Sequence, residues 1–208
     1  MPIARPPILL RKFYRNLMWR VPTDKKVIYL TFDDGPIPEV TPWVLSTLKQ
    51  YGAKATFFCV GENVARNSSI YTQILEDGHA VGNHTHNHLK GWSTANEVYL
   101  SNVAQCAQYV PSELFRPPYG RIRRQQIKQL MGTYKLIMWD VLSYDYSAMV
   151  TPEKCLQHVI NNARPGSIVV FHDHQKAFKN MSYALPLVLA HFGKLGFQFE
   201  PLAKINLN

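Results

Sequence analysis

Two adjacent aspartates stand in Thr31-Phe-Asp33-Asp34-Gly35-Pro36, and three histidines alternate in His84-Thr-His86-Asn-His88. Neutral imidazole is the commonest protein metal ligand. A carboxylate with two imidazoles is a hard-to-borderline set that suits Zn²⁺ or another divalent ion with open positions. A second carboxylate beside the ligand could take a proton from bound water, whose pKa such an ion lowers towards neutrality. A histidine on the opposite side could protonate a leaving group. Further polar clusters occur at Arg116-Pro-Pro-Tyr119-Gly120, between Asp140 and Asp145, and at His172-Asp173-His174. Each has a plainer reading: Asp-Asp-Gly-Pro is turn chemistry, and histidines can lie in solvated loops. Taken together, the clusters suit hydrolysis of an acyl bond, and the residue types alone also allow phosphoester hydrolysis.

The elements that must carry these residues follow a rhythm. Buried-type strands are expected at Val27–Phe32, Ala55–Val60, His79–Asn83, Leu114–Arg116, Tyr134–Trp139, Ser167–Phe171 and Phe197–Phe199. Helices are expected between them. Thr41-Pro42 and Thr151-Pro152 each read as an N-cap with proline at the first helical position. Thr94 with Glu97 reads as a capping box. Further helices are expected at Arg123–Met131 and Tyr183–Phe192. About seven β-then-α units predict an α/β fold with parallel strands. Five polar clusters follow five strand C-termini, the layout of a barrel enzyme, whereas an open sheet gathers its site at one switch point. The expectation is a single-domain, distorted (β/α)₇ barrel.

With 208 residues the chain fits one domain. Its 46% hydrophobic and 18% charged residues exclude a disordered or fibrous protein. Three scattered cysteines, Cys59, Cys106 and Cys155, argue against a disulfide framework or a Cys-based zinc site, and mildly for a reducing compartment. The net charge of +9 would attract anionic partners without naming them. No apolar run is long enough to span a membrane or form a signal-peptide core, so cytoplasmic placement is the expectation from sequence. Arg11 to Arg20 mixes basic and large apolar residues, which could lie on an anionic membrane surface. The preferred expectation is residues 1–24 as a segment packed on a domain of residues 25–205.

In this order, T-F-D-D-G-P, H-T-H-N-H, R-P-P-Y-G, D-Y and V-F-H-D resemble the five motifs of the NodB-homology polysaccharide deacetylases, carbohydrate esterase family 4. The resemblance runs from about Val27 to about Phe199. It implies a distorted (β/α)₇ barrel and N-acetylated substrates of chitin-like or peptidoglycan-like polymers. Asp33 would be the catalytic base. Asp34, His84 and His88 would hold one divalent metal, with Zn²⁺ as default and Co²⁺, Ni²⁺ or Mn²⁺ as alternatives, and His86 would stay outside. Arg116 would orient Asp33, and the Tyr119 backbone N–H would help to stabilise the oxyanion. Asp145 would orient His172, the general acid. Pro118, Tyr146 and Val170 would contact substrate. Tyr146 replaces the family's tryptophan, Leu142 its first fourth-motif acid, and Val170 its leucine. These departures bear on acyl-group and substrate preference, not on the triad, base or acid.

The expected partner is therefore an N-acetylated glycan, with no nucleic acid, no integral membrane segment, and at most weak peripheral contact with an anionic membrane or cell-wall surface. The resemblance also implies action at the cell envelope. One rival reading is a metal-dependent hydrolase of another acyl or cyclic amide group. Another, from a different class, is a basic surface- or nucleic-acid-binding module with a vestigial site.

Overall fold

The run Val27–Asp33 forms strand β1 with all seven residues buried, as a strand covered on both faces requires. Side chains alternate across a strand. Ile28, Leu30 and Phe32 therefore face the main helical core, where Phe32 stacks between Phe57 and Phe171 with centroids 5.1 and 6.1 Å away. Val27 and Tyr29 face a second cluster inside the sheet's curl with Phe58, Leu114 and Ile137. Thr31 and Asp33 continue that inner row towards the C-terminal rim.

These relations come from a computed structural model that describes residues 4–202. Residues 1–3 of the expected N-terminal segment and 203–205 of the expected domain lie outside the described residues. The other strands are β2 (Thr56–Cys59), β3 (Ala80–Asn83), β4 (Leu114–Phe115), β5 (Lys135–Leu136), β6 (Val141–Leu142), β7 (Ile168–His172) and β8 (Gln198–Phe199). The sheet runs β5-β4-β3-β2-β1-β7-β6, with β8 on the start of β1, and every pairing is parallel. The result is a single-domain α/β fold whose curled parallel sheet makes a half-barrel.

The open seam lies between β5 and β6, and residues 4–21 run along it. Met18 bridges to Ile137 and Arg20 to Ser167, and the Leu142 N–H donates to the Ala4 carbonyl at 2.8 Å. The helices are α1 (Ile8–Phe13), α2 (Val40–Gln50), α3 (Gly61–Arg66), α4 (Ser68–Glu76), α5 (Asn96–Ala107), α6 (Arg124–Leu130), α7 (Pro152–Ile160) and α8 (Gln175–Lys194).

Several local expectations needed correction. Thr151 caps α7 as expected, accepting from the Lys154 N–H with Pro152 in the first turn. Thr41 does not cap α2, which starts at Val40. Its hydroxyl instead accepts from the Ile37 N–H and donates to Asp173. Thr94 caps nothing either. Its hydroxyl donates to the Lys90 carbonyl, and α5 begins two residues later. The expected strand Tyr134–Trp139 shortens to Lys135–Leu136, because the Met138 N–H turns to the Met18 carbonyl. The last helix starts at Gln175, eight residues before Tyr183, with the His174 ring accepting from the Lys176 N–H at its start. The three cysteines are buried and free.

Candidate active site

β1 and β7 are paired with Asp33 opposite His172, so the ends of two adjacent strands put an acid and a histidine side by side. The Asp33 Oδ1 accepts from Arg116 Nη1 at 2.6 Å. That guanidinium is fully buried, a position no charged group holds unless its donors are satisfied. It also donates to the Thr31 hydroxyl at 2.7 Å and to the Met138 carbonyl at 3.0 Å, and lies 4.1 Å from the Phe58 ring centre. Arg116 is thus locked, and through it Asp33.

Asp34 follows with φ 87°, a left-handed backbone that non-glycine residues rarely adopt and that gathers at functional sites. This turn sends Asp34 towards the loop after β3. The Asn63 amide holds its carbonyl at 2.7 Å. Asp34 Oδ1 lies 3.0 Å from His88 Nε2 and 3.6 Å from His84 Nε2. It is buried without a hydrogen-bond partner. Burial would raise this carboxyl, but the two imidazoles outweigh burial and hold it well below the usual range. His84 Nδ1 lies 2.7 Å from the Arg116 carbonyl. A carbonyl can only accept, so Nδ1 carries the proton and Nε2 keeps its lone pair for a ligand. The donor atoms of Asp34, His84 and His88 all lie within 4.8 Å of one another. A carboxylate oxygen 3.0 and 3.6 Å from two imidazole nitrogens, with His84 Nε2 left free by its tautomer, is a donor set that fits a divalent cation.

The loop that presents these histidines is held by side chains that sequence reasoning did not single out. Asn83 Oδ1 accepts from the Thr85 N–H, and Asn102 Oδ1 from the His86 and Asn87 N–H groups. Thr85 and His88 both have positive φ, 62° and 55°. The backbone reversal turns His86 away from the cluster, with its ring 5.3 Å from Tyr109.

On the other flank, His172 Nδ1 lies 2.8 Å from Asp145 Oδ1, and the His172 N–H donates to Asp145 Oδ2 at 2.7 Å. Asp145 is fully buried and is carried by the turn after β6, the neighbour of β7. Burial lowers the His172 pKa, but Asp145 and the nearby aspartates raise it more, to about 9. Asp173 holds the floor of the loop. Its carboxyl accepts from the Gly35 N–H at 3.0 Å and the Thr41 hydroxyl at 2.6 Å. A Cβ on Gly35 would sit 1.9 Å from it, so only glycine fits. Burial pushes Asp173 up to about 8. The sequence flagged His172-Asp-His174 as a cluster, but spacing alone cannot separate a residue that reacts from one that holds a loop.

A cavity of about 700 Å³ opens over these groups, lined by Asp33, Asp34, His84, His88 and His172. Tyr119, Tyr146 and Val170 also line it. The Tyr146 ring stands edge-on to His172, with centroids 4.9 Å apart. Tyr119 has φ 60° and its ring lies 4.7 Å from His88. Pro118 is buried at the start of the same 3₁₀ turn and is not among the residues lining the cavity. Arg116 and Asp145 do not line it either, so they reach a substrate only through Asp33 and His172. Trp139, the last residue of the strand expected at Tyr134–Trp139, also lines it and packs on Gly120 so closely that a Cβ there would lie 2.4 Å from its ring.

Residues 20–134 match the family described as Polysaccharide deacetylase. A peptidoglycan-N-acetylglucosamine deacetylase of Bacillus cereus is 35% identical over 195 residues, which cover 90% of this chain and 91% of that protein. A chitooligosaccharide deacetylase of Azorhizobium caulinodans is 36% identical over 163 residues, 74% of this chain and 77% of that one. The crystal structure of the Bc1960 peptidoglycan N-acetylglucosamine deacetylase superposes with a TM-score of 0.86 at 28% identity, over 95% of both chains.

Proposed function

This chain belongs to the polysaccharide deacetylase family, and from that premise we propose that it removes N-acetyl groups from N-acetylglucosamine units of a peptidoglycan-like or chitin-like glycan. The observation that carries the reading is the pair of held groups flanking one three-residue cluster: Asp33 fixed by Arg116 and His172 fixed by Asp145.

Asp34, His84 and His88 would hold one divalent cation, with zinc favoured by two nitrogens and one oxygen. Bound there, it would acidify a water and polarise the amide carbonyl. Asp33 takes the proton of the attacking water. Its carboxylate is acceptor-only, and Arg116 keeps one oxygen occupied so that it cannot rotate away. His172 enters protonated, because its pKa of about 9 lies above neutral pH, and gives that proton to the departing amine nitrogen. Asp145 fixes the orientation of the ring by accepting the hydrogen bond from Nδ1–H, which leaves Nε2 to donate. The Tyr119 N–H would donate to the acetyl oxygen as charge develops there, and Tyr146, edge-on to His172, would wall the acetyl group.

The test is acetate release from chitooligosaccharides and from peptidoglycan fragments, with and without a chelator, alongside the metal content of the purified protein. Release that stops with chelation and returns with added zinc is the expected result. The variant carrying both His84→Ala and His88→Ala should lose both metal and release. Undiminished release by metal-free protein would overturn the assignment.

A further inference from the structure

The charge of this chain is not spread evenly. Residues 4–23 contain Arg5, Arg11, Lys12, Arg15 and Arg20, and residues 114–139 contain Arg116, Arg121, Arg123, Arg124, Lys128 and Lys135. The two stretches hold eleven of the 23 basic residues and none of the 14 acidic ones. They also pack on each other. Leu17 and Trp19 share a buried cluster with Ile122 and Ile127, and the Arg124 guanidinium lies 4.2 Å from the Phe13 ring centre. Some of these cations are taken. Arg116 is buried on Asp33, Arg5 and Arg11 bind Asp140, Arg20 donates to the Pro165 carbonyl, and Lys135 faces Glu113. Lys12, Arg15, Arg121, Arg123, Arg124 and Lys128 are all exposed, and among the described residues no carboxylate pairs with any of them.

In the midst of these cations stands α1, a helix with no buried residue. Its Ile8, Leu9, Leu10 and Phe13 are 64%, 81%, 42% and 62% exposed. Single exposed apolar residues need no account, but four together on one short helix do. The apolar surface continues inwards. A groove of about 310 Å³ runs from Pro7 and Leu10 past Trp92 to Tyr119, Leu142 and Tyr144, and the last three also line the catalytic cavity.

We propose that α1 and the basic face around it dock the protein on the surface of an anionic phospholipid bilayer, with the catalytic cavity opening beside the contact. Large apolar side chains ringed by arginine and lysine are what an interfacial segment presents to the headgroup and acyl boundary. The aliphatic residues decide between lipid and other anions. A nucleic acid or an anionic glycan would pair with the six cations but has no use for Ile8 and Leu9. The proposal does not rest on the reaction assigned above, and its test reads binding without turnover.

The full chain is sedimented with vesicles of phosphatidylcholine mixed with phosphatidylglycerol, and with vesicles of phosphatidylcholine alone. Binding to the mixed vesicles, weakening as salt rises, is the expected result. Replacing Lys12 or Arg15 by Gln should weaken it about fivefold each. The variant carrying both Leu9→Glu and Phe13→Glu should abolish it with an unchanged melting temperature, because both side chains are exposed. Leu9→Trp should keep or strengthen it. Equal binding to neutral vesicles, or binding that survives the double glutamate variant, would overturn the proposal. So would retention on heparin or DNA without vesicle binding, or a lipid-free dimer that Leu9→Glu dissociates.

Discussion

Asp33 and Asp140 are both buried aspartates held by arginine, and the two pairs are built the opposite way round. At Asp33 the cation is sealed in. Every direction of the Arg116 guanidinium is taken by Thr31, Asp33, backbone carbonyls or the Phe58 ring, while the carboxylate lines the cavity. At Asp140 the carboxylate is sealed in. Its Oδ1 accepts from Arg5 at 2.9 Å and Arg11 at 3.1 Å, and its Oδ2 accepts from the Ser167 hydroxyl at 2.7 Å, while the arginines reach the surface. The first arrangement leaves an acid held but available. The second uses up the acid to clasp the N-terminal segment across the seam of the half-barrel. A buried acid–arginine contact is therefore no sign of chemistry by itself; what matters is which partner keeps an open side.

The comparison breaks most sharply under Asp33→Asn. The amide keeps the shape and can still accept from Arg116, but it cannot take a proton. The rate constant kcat should fall by about 10² to 10⁴, the range of general base catalysis, with metal content and melting temperature near wild type. A near-wild-type rate would place the base elsewhere. Asp140→Asn should do the reverse. It removes two charge-assisted contacts from a buried site, at a cost of about 2–3 kcal/mol. A lowered urea midpoint and faster tryptic cleavage at Arg11, Lys12 and Arg15 would report it, with kcat little changed at low temperature. Loss of activity without loss of stability would mean that Asp140 serves the site and not the seam.

This contrast also shows what could be read from the chain. The apolar run Val27–Phe32 sufficed to show a buried strand with Asp33 at its C-terminal end, because such a run is a local signal. The order of the five clusters was equally legible. The clasp was not: Arg5 and Arg11 lie 135 and 129 residues from Asp140, and nothing in their spacing announces the contact. Two-residue strands such as β6 carry too little pattern to be seen. Thr41-Pro42 and Thr151-Pro152 are the same words with different uses, because only Thr41 has a buried carboxyl and a stranded N–H within reach. Spacing alone puts several of the three alternating histidines within reach of one ion without choosing among them. The backbone turns at Thr85 and His88, which no spacing rule shows, leave two.

Asp145 sharpens the comparison, since it is sealed like Asp140 yet its partner faces the cavity. It should therefore act on rate through His172. Burial lowers His172 and Asp145 raises it, for a net pKa of about 9. With Asp145→Asn the raising charge is gone and the protonated acid is lost at lower pH. If the pKa returned only to 6.5, the protonated fraction at pH 8 would fall about thirtyfold. The alkaline limb of the kcat profile should move down accordingly while metal content holds. Loss of metal with an unmoved limb would make Asp145 a support of the cluster instead.

The smallest effect belongs to Asp173, a buried acid with no arginine at all. Burial pushes its carboxyl from 3.8 up to about 8, so at neutral pH it is mostly the neutral acid that holds Gly35 and Thr41. A group whose pKa is raised by folding contributes stability below its unfolded value and loses it as pH climbs through the folded one. Here that window runs from about 4 to about 8. Asp173→Asn replaces a neutral acid by a neutral amide, whose oxygen can accept from the Gly35 N–H and whose NH₂ can donate to the second lone pair of Thr41. The kcat should stay close to wild type, and the urea midpoint should match wild type near pH 4 and fall less as pH rises to 8, so that the variant is the more stable protein at neutral pH. Asp173→Ala, by contrast, strands the Gly35 N–H at a cost of about 1–3 kcal/mol. A large loss in the asparagine variant would show that Asp173 is ionised in the folded protein. The contrast drawn above would then extend to it, because a charged carboxylate so deep needs a cation that this loop does not provide.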